Sequence, residues 1–417
     1  MSNTRCRRIR RGRSRNTSWF NRLRQIDGSA LVSSNIRNLI SHSGQSLSLG
    51  SVGGSGTPSV VSTDSYSNAL MADPGGTRPR IDDSRITVDS ENVFADRFAS
   101  LTTLAESVNS NFGETYNLGI ASRNSEIKTL HTGIGRGAQT ISNLSLGSFY
   151  FTDLMIALNR SKKRVDESGE EFAWPIHWWA QGEADTVAQT DYATYKSSLL
   201  QYYNDLVDFG NAQLNGTYSP SFVTYQVGNP YVSSGVSNYG PQDALLDFGL
   251  EQSFAFCVGP QYYLDYEDTA HLTSLNYRIF GEQMGKVINR ILDGDDWKPL
   301  YWTNVSRTGT TITITYNVPS GSLAIDTTIV SDPGDYGFEY SGANITNVSI
   351  ASANTIEITI DASAGGTLDY ARTATNTNNI GRTFGPRGNI RDTDTATAIH
   401  DGSNLYNWAC HQSEVVA

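Results

Sequence analysis

Phe172-Ala173-Trp174-Pro175-Ile176-His177-Trp178-Trp179-Ala180-Gln181-Gly182-Glu183-Ala184-Asp185 changes character partway along its length. A run of mostly aromatic and aliphatic side chains passes without a break into an amide, a glycine and two carboxylates. The first part predicts a buried central strand, because aromatic and β-branched residues pack well on a pleated surface. Pro175 has no ladder donor, so the regular strand is expected to begin only after it. Polar residues at the C-terminal end of a buried strand stand where open α/β sheets place their ligands.

Working outward, strand-like and helical patterns alternate. Residues 29–50 predict a first strand and a serine turn. Residues 91–112 carry Phe94, Phe98, Leu101, Leu104 and Val108 at three- and four-residue steps, which predicts a helix. Asn117–Ala121 reads as a strand. Helices are expected over 148–163, from Tyr192 to Phe209, over 242–252 and from Ser274 to Leu292. Strands are expected at Ser221–Val227 and Phe254–Val258. This alternation argues for an α/β fold, a doubly wound and mostly parallel sheet flanked by helices.

After Trp297-Lys298-Pro299 the period changes. Thr311–Tyr316, Ile345–Ile350 and Thr355–Ile360 alternate with period two, which predicts half-buried antiparallel strands in a small β-sandwich. The polar stretch from Thr373 to Ala417 holds Leu405-Tyr406-Asn407-Trp408, whose rings are expected to dock on a neighbouring surface. Three segments follow: a basic tail or anchor (1–28), an α/β domain (29–298) and a C-terminal β-rich accessory domain (299–417).

Composition excludes several function classes. The 417 residues carry a net charge of -11, yet residues 1–25 contain nine arginines and no acid, so the remainder stands at -20. An acidic body argues against nucleic acid as a partner of the main domains. The basic head could touch a polyanion or another subunit, or be a plain tail. No apolar run is long enough to span a membrane, and the N-terminus lacks the apolar core of a standard signal peptide. Three scattered cysteines and six histidines, none at i, i+4 spacing, make neither a disulfide framework nor a metal site. No cofactor is expected.

Gly44-Gln45-Ser46 follows the first strand. It resembles a nucleophile elbow whose second glycine is replaced by Ser48, and alone it is as readily a turn. Gly133-Ile134-Gly135-Arg136-Gly137 is either a flexible turn or a loop whose N–H groups bind an oxyanion; no G-K-[ST] follows, so it is not a P-loop. Asp268-Thr269-Ala270-His271 lets a carboxylate fold back onto an imidazole Nδ1–H, leaving Nε2 to act as base. Thr273 or Ser274 can cap the next helix, which frees Asp268. His42, His131 and His177 read as structural. Trp174, Trp178 and Trp179 read as core, the alternative being that one ring lines a sugar site.

Taken in order, Gly44-Gln45-Ser46, Gly137-Ala138-Gln139-Thr140-Ile141, Gln181-Gly182-Glu183-Ala184-Asp185 and Asp268-x-x-His271-Leu272-Thr273 resemble the SGNH (GDSL-type) hydrolase superfamily. Within it they are similar to the sialate O-acetylesterase-like, carbohydrate acetylesterase branch, over residues about 40–292. The family usually has a glycine where Ala138 stands. The resemblance implies an SGNH/flavodoxin-like fold with Ser46 as nucleophile, His271 as general base and acid, and Asp268 orienting His271. It further implies an oxyanion hole from the N–H of Ser46, the N–H of Gly137 and the side-chain amide of Gln181, with Glu183 and Asp185 supporting that loop.

The function so implied is a carbohydrate O-acetylesterase acting on an O-acetylated glycan through an acyl-enzyme, without a metal. Two other readings stand beside it. One is a virion or cell-surface glycan-binding or structural protein on an SGNH scaffold, attached or oligomerised through its tail or β-domain. The other is a general lipase or thioesterase. An extracellular or virion-associated location fits the first two.

Overall fold

The computed structural model describes residues 35–54, 56–73, 100–108, 112–233, 236–372 and 380–417. The expected basic tail and the Asp73–Gly76 turn lie wholly or mostly outside these ranges. One sheet organises the first part of the chain. Its strands are β1 (Ile36–Gly44), β2 (Ala69–Asp73), β3 (Ser100–Thr103), β4 (Thr129–Gly135), β5 (Glu171–Ala180) and β6 (Ser221–Gln226). A small hairpin, β7 (Tyr231–Ser233) and β8 (Val236–Ser237), precedes the last sheet strand, β9 (Ala255–Pro260). The order is β3-β2-β4-β1-β5-β6-β9, parallel throughout except for the edge strand β3. The first strand is therefore central, flanked by β4 and β5. The crevice at the C-terminal ends of these strands is where a doubly wound sheet places its site.

Helices α1 (Asn117–Arg123), α2 (Ile141–Leu144), α3 (Phe149–Glu167), α4 (Glu183–Val187), α5 (Tyr192–Leu214), α6 (Gly240–Glu251) and α7 (Ser274–Leu292) flank the sheet. Thr273 caps α7, its hydroxyl accepting from the Asn276 N–H, so Asp268 is indeed free of that duty.

Three expectations are corrected. Asn117–Ala121 opens helix α1 rather than a strand. A short apolar run cannot by itself distinguish the two, and here packing on α7 decides. A Cβ at Gly119 would lie 2.5 Å from the Arg278 carbonyl oxygen, and one at Gly281 would lie 2.4 Å from that of Tyr116. The helices cross at backbone contact, which only glycine permits. Second, the helix expected over 91–112 is not formed where it is described: 100–103 pair with β2 as an edge strand, and 104–108 have no regular structure. Residues 91–99 and 109–111 lie outside the described ranges. Third, β5 runs through Pro175. Its pairing with β1 shifts register between Asn38 and Ile40, and its pairing with β6 starts only at Ile176. Neither neighbour requires an N–H from Pro175.

The first half of the glycine run belongs to β4. A Cβ at Gly133 would sit 2.3 Å from the His42 ring, and one at Gly135 would sit 2.2 Å from Ser48 Oγ. These glycines make room for neighbours from β1 and the serine turn.

Two hydrophobic cores meet at the linker. Trp297 closes the α/β core, and Leu300 opens the second. The second core lies among antiparallel sheets. The largest contains β10 (Tyr301–Thr308), β11 (Thr311–Asn317), β14 (Ile345–Ser352) and β15 (Thr355–Ile360). Shorter strands complete the rest: β12 (Leu323–Ile325) with β17 (Ile390–Asp392), and β13 (Phe338–Tyr340) with β16 (Gly366–Tyr370) and β18 (Gln412–Val416). Inward Ile312, Ile314, Ile356 and Ile358 are fully buried, as the period-two pattern predicts. The C-terminal tail docks: Trp408 stacks on Tyr263 at 5.6 Å, and Arg391 covers the Tyr406 ring.

Candidate active site

Three loops at the ends of three adjacent strands, together with the segment that carries His271, build one cleft. The first follows β1. Gly44 takes φ +151, and a Cβ there would strike the Ala180 carbonyl at 2.2 Å. Its glycine lets β1 end hard against β5, and the Gln45 N–H bonds the Ala180 carbonyl at 2.9 Å. A single 3-10 turn, Ser46–Leu49, then presents Ser46 and is closed by Gly50 in the left-handed region. Ser48, standing where an elbow would have glycine, is buried and donates its hydroxyl to the Gln45 carbonyl at 2.7 Å. It locks the turn from beneath.

The histidine arrives from the far end of the domain. His271 Nε2 lies 2.7 Å from Ser46 Oγ, and its Nδ1 lies 2.8 Å from Asp268 Oδ2. Asp268 Oδ1 also accepts the backbone N–H groups of Ala270 and His271, each at 2.8 Å. Burial works to raise the Asp268 pKa. The His271 hydrogen bond, its charge and the two backbone donors outweigh burial and hold the carboxyl below the usual range. A carboxylate on Nδ1 fixes the tautomer that leaves Nε2 free to take a proton from Ser46.

Gly53 completes this arrangement. It has φ +73, and a Cβ there would lie 1.9 Å from Asp268 Oδ2 and 3.1 Å from His271 Nδ1. Only its run of small neighbours hinted at a close approach.

The second loop follows β4. Gly137 lies beside the serine, a Cβ there falling 3.9 Å from Ser46 Cβ. Among the described residues, neither the Ser46 nor the Gly137 N–H is engaged in a hydrogen bond. These two groups can serve as donors to an oxyanion. Ala138 takes φ +57. The position demands glycine-like backbone, so alanine there carries strain of about 1 kcal/mol.

The third loop follows β5 and differs from the sequence reading. Gln181 is fully buried and does not line the cleft. Its amide nitrogen donates to Asp185 and to the Gln139 carbonyl, and its oxygen accepts from Tyr195 at 2.6 Å. Both amide hydrogens are spent, one on the second loop and one on the third, so Gln181 braces the site instead of offering a donor. Asp185 also accepts from the Ile141 N–H at 2.7 Å and the Thr190 hydroxyl at 2.7 Å, tying the second and third loops together. Glu183 accepts from Gln45 Nε2 at 2.8 Å and from the Tyr225 hydroxyl at 3.0 Å, while Gln45 Oε1 accepts the Ala184 N–H. Burial pushes the Glu183 pKa up to about 7, against its own backbone N–H, the Tyr225 hydroxyl and the nearby His271 charge. Gln45 is thus the link between the serine turn and the third loop.

The cleft has a volume of about 420 Å³ and small walls near the serine: Gly53, Gly54, Ala138, Ala184 and Ala270, with Val187 exposed at the rim. Trp174, Trp178 and Trp179 are buried in the core and line no site. His42 stacks on Trp178 at 4.2 Å, and His131 and His177 are fully buried. Among the described residues, no group of three His, Cys, Asp or Glu side chains is arranged to hold a metal, and no helix is long and apolar enough to cross a membrane.

No protein-family model matches this chain, and no curated protein matches it in sequence. Among solved structures it is similar to XAC1771, a novel carbohydrate acetylesterase from Xanthomonas citri. Identity is 12%, over 91% of this chain and 80% of that chain, with a TM-score of 0.57. Partial overlaps exist with NanS (12% identity, 62% of this chain, 98% of that chain, TM-score 0.40) and with Est24, a carbohydrate acetylesterase from Sinorhizobium meliloti (11%, 61%, 99%, 0.35). The likeness to the Xanthomonas protein is one of fold.

Proposed function

We propose that this protein is a serine esterase that removes O-acetyl groups from a carbohydrate. The observation that carries the reading is the unbroken chain from Ser46 Oγ through His271 to Asp268, at 2.7 and 2.8 Å, at the floor of an open cleft. Ser46 gives its proton to His271 Nε2 and attacks the ester carbonyl. Asp268 steadies the imidazolium that forms. The N–H groups of Ser46 and Gly137 take the negative oxygen of the tetrahedral intermediate. Collapse expels the sugar oxygen, which takes the proton back from His271. A water activated by the same Nε2 then frees acetate and restores Ser46. The small side chains around the serine favour a short acyl group over a lipid tail. The carbohydrate part draws on the fold shared with the Xanthomonas carbohydrate acetylesterase. An extracellular or virion-associated setting belongs to the same proposal.

Wild-type protein and Ser46→Ala are compared for acetate release from p-nitrophenyl acetate and from a panel of O-acetylated polysaccharides. The reading expects release by wild type on the aryl ester and at least one glycan, and none above background by the variant. Equal release by both on every substrate would end it.

A further inference from the structure

The proposed reaction uses no cysteine, yet two are brought together in the interior. Cys257 lies on β9, in the α/β core, and is fully buried. Cys410 lies on the C-terminal segment that runs into β18, and is 1% exposed. They share one apolar cluster with Leu246, and both are free thiols. Both backbones are pinned beside the linker between the cores: the Trp297 indole donates to the Cys257 carbonyl at 2.8 Å, and the Cys410 N–H donates to the Leu300 carbonyl at 2.8 Å.

We infer that Cys257 and Cys410 are the two ends of a disulfide that staples the C-terminal segment to the catalytic sheet. The bond forms when the two clustered sulfurs approach to about 2.05 Å. The chemistry is thiol–disulfide exchange with a small disulfide oxidant. One cysteine thiolate attacks the oxidant's disulfide and releases one thiol. The second cysteine then attacks the mixed disulfide and releases the other. The two protons pass to the departing thiolates, so the protein loses two hydrogens and the oxidant becomes two thiols. The loop so closed, from 257 to 410, contains Asp268, His271 and almost the whole β region. Such a bond ties the histidine-bearing loop and the second core to the sheet that carries Ser46.

A polar cavity of about 280 Å³ borders the cluster. Leu246, which packs with both cysteines, is one wall, and His411 to Glu414, directly after Cys410, form another. Burial disfavours the Cys410 thiolate, so exchange is slow in the closed state and proceeds when this end segment opens or as the chain folds.

The full-length protein is incubated, and separately refolded, with oxidised glutathione or with dithiothreitol. It is then denatured, alkylated and peptide-mapped. The expected result is a Cys257–Cys410 crosslinked peptide in the oxidised sample and two alkylated thiols in the reduced one. Thermal unfolding of the oxidised sample should come roughly 5 °C higher. The shift should vanish in Cys410→Ser and persist in Cys6→Ser. Alkylation of both thiols after oxidation and refolding, a stable glutathione adduct on either, or a crosslink through Cys6 would overturn the proposal. Because the wild-type mass map needs neither variant nor substrate, it stands apart from the fate of the esterase reading.

Discussion

Strand β1 and the turn after it supply serines to two histidines. Ser43 Oγ lies 2.8 Å from His177 Nε2, deep between β1 and β5. Ser46 Oγ, three residues on, lies 2.7 Å from His271 Nε2 at the cleft. The deep pair is closed on all sides. Ser41 occupies the His177 Nδ1, the Tyr202 hydroxyl binds Ser43, and burial drives the His177 pKa down to about 3. That imidazole stays neutral, its two nitrogens held by serine hydroxyls rather than by a carboxylate. His271 has Asp268 on Nδ1, cleft space in front of Ser46, and two unengaged N–H groups beside it. A serine–histidine contact is therefore not itself a catalytic device; the carboxylate, the access and the donors make the difference.

The comparison can be broken at several points. Ser46→Ala should lower kcat on p-nitrophenyl acetate by up to about 10⁶-fold. Ser43→Ala should leave the rate within a few-fold but lower stability by about 1–3 kcal/mol, because it strips His177 of a buried partner. Steady-state rates and denaturant titrations of both variants separate the two effects. Asp268→Asn should cost about 10⁴-fold in kcat, by losing the tautomer and the charge that His177 never had.

Gly53→Ala should push Asp268 off His271 and slow kcat by about 10²-fold, with KM little changed. Gly54→Ala is the control, since a Cβ there meets nothing within 4 Å. Equal rates for the two variants would show that Gly53 does not set the carboxylate.

The smallest effect concerns Glu183. Its folded pKa, about 7, is raised above the ordinary carboxylate value. Between those values the folded state holds a proton that the unfolded state has released. Stability contributed by this group therefore falls as pH rises from about 4.5 to 7 and is level above that. Glu183→Gln should flatten that decline by on the order of 2 kcal/mol, read from urea midpoints across the range. An unchanged slope would place the titration elsewhere.

Much of this site was legible in the chain because each block is local. Asp268-x-x-His271 folds back within one turn, and Gly44-Gln45-Ser46 needs only a strand end and a glycine. The β region was legible because its period-two pattern is not confused with a helix. What escaped depended on contacts between distant segments. Helix α1 reads as a strand until α7 crosses it at Gly281. Gln181 has the donor an oxyanion needs, yet Asp185, Gln139 and Tyr195 claim both ends of its amide. Gly53 looks like one small residue among many until Asp268 is laid against it. Gln45 reads only as part of the serine turn, whereas its amide clasps Glu183 and Ala184 of the third loop.

The direct test of the account is which serine becomes covalently modified. The protein is incubated with a p-nitrophenyl alkylphosphonate, which traps an activated serine as a stable ester, and its peptides are mapped by mass spectrometry. The account predicts one adduct, on Ser46, absent from His271→Ala and unaffected by Ser43→Ala. An adduct on another serine, or a wild-type protein that stays unlabelled while its acetate release continues, would contradict it.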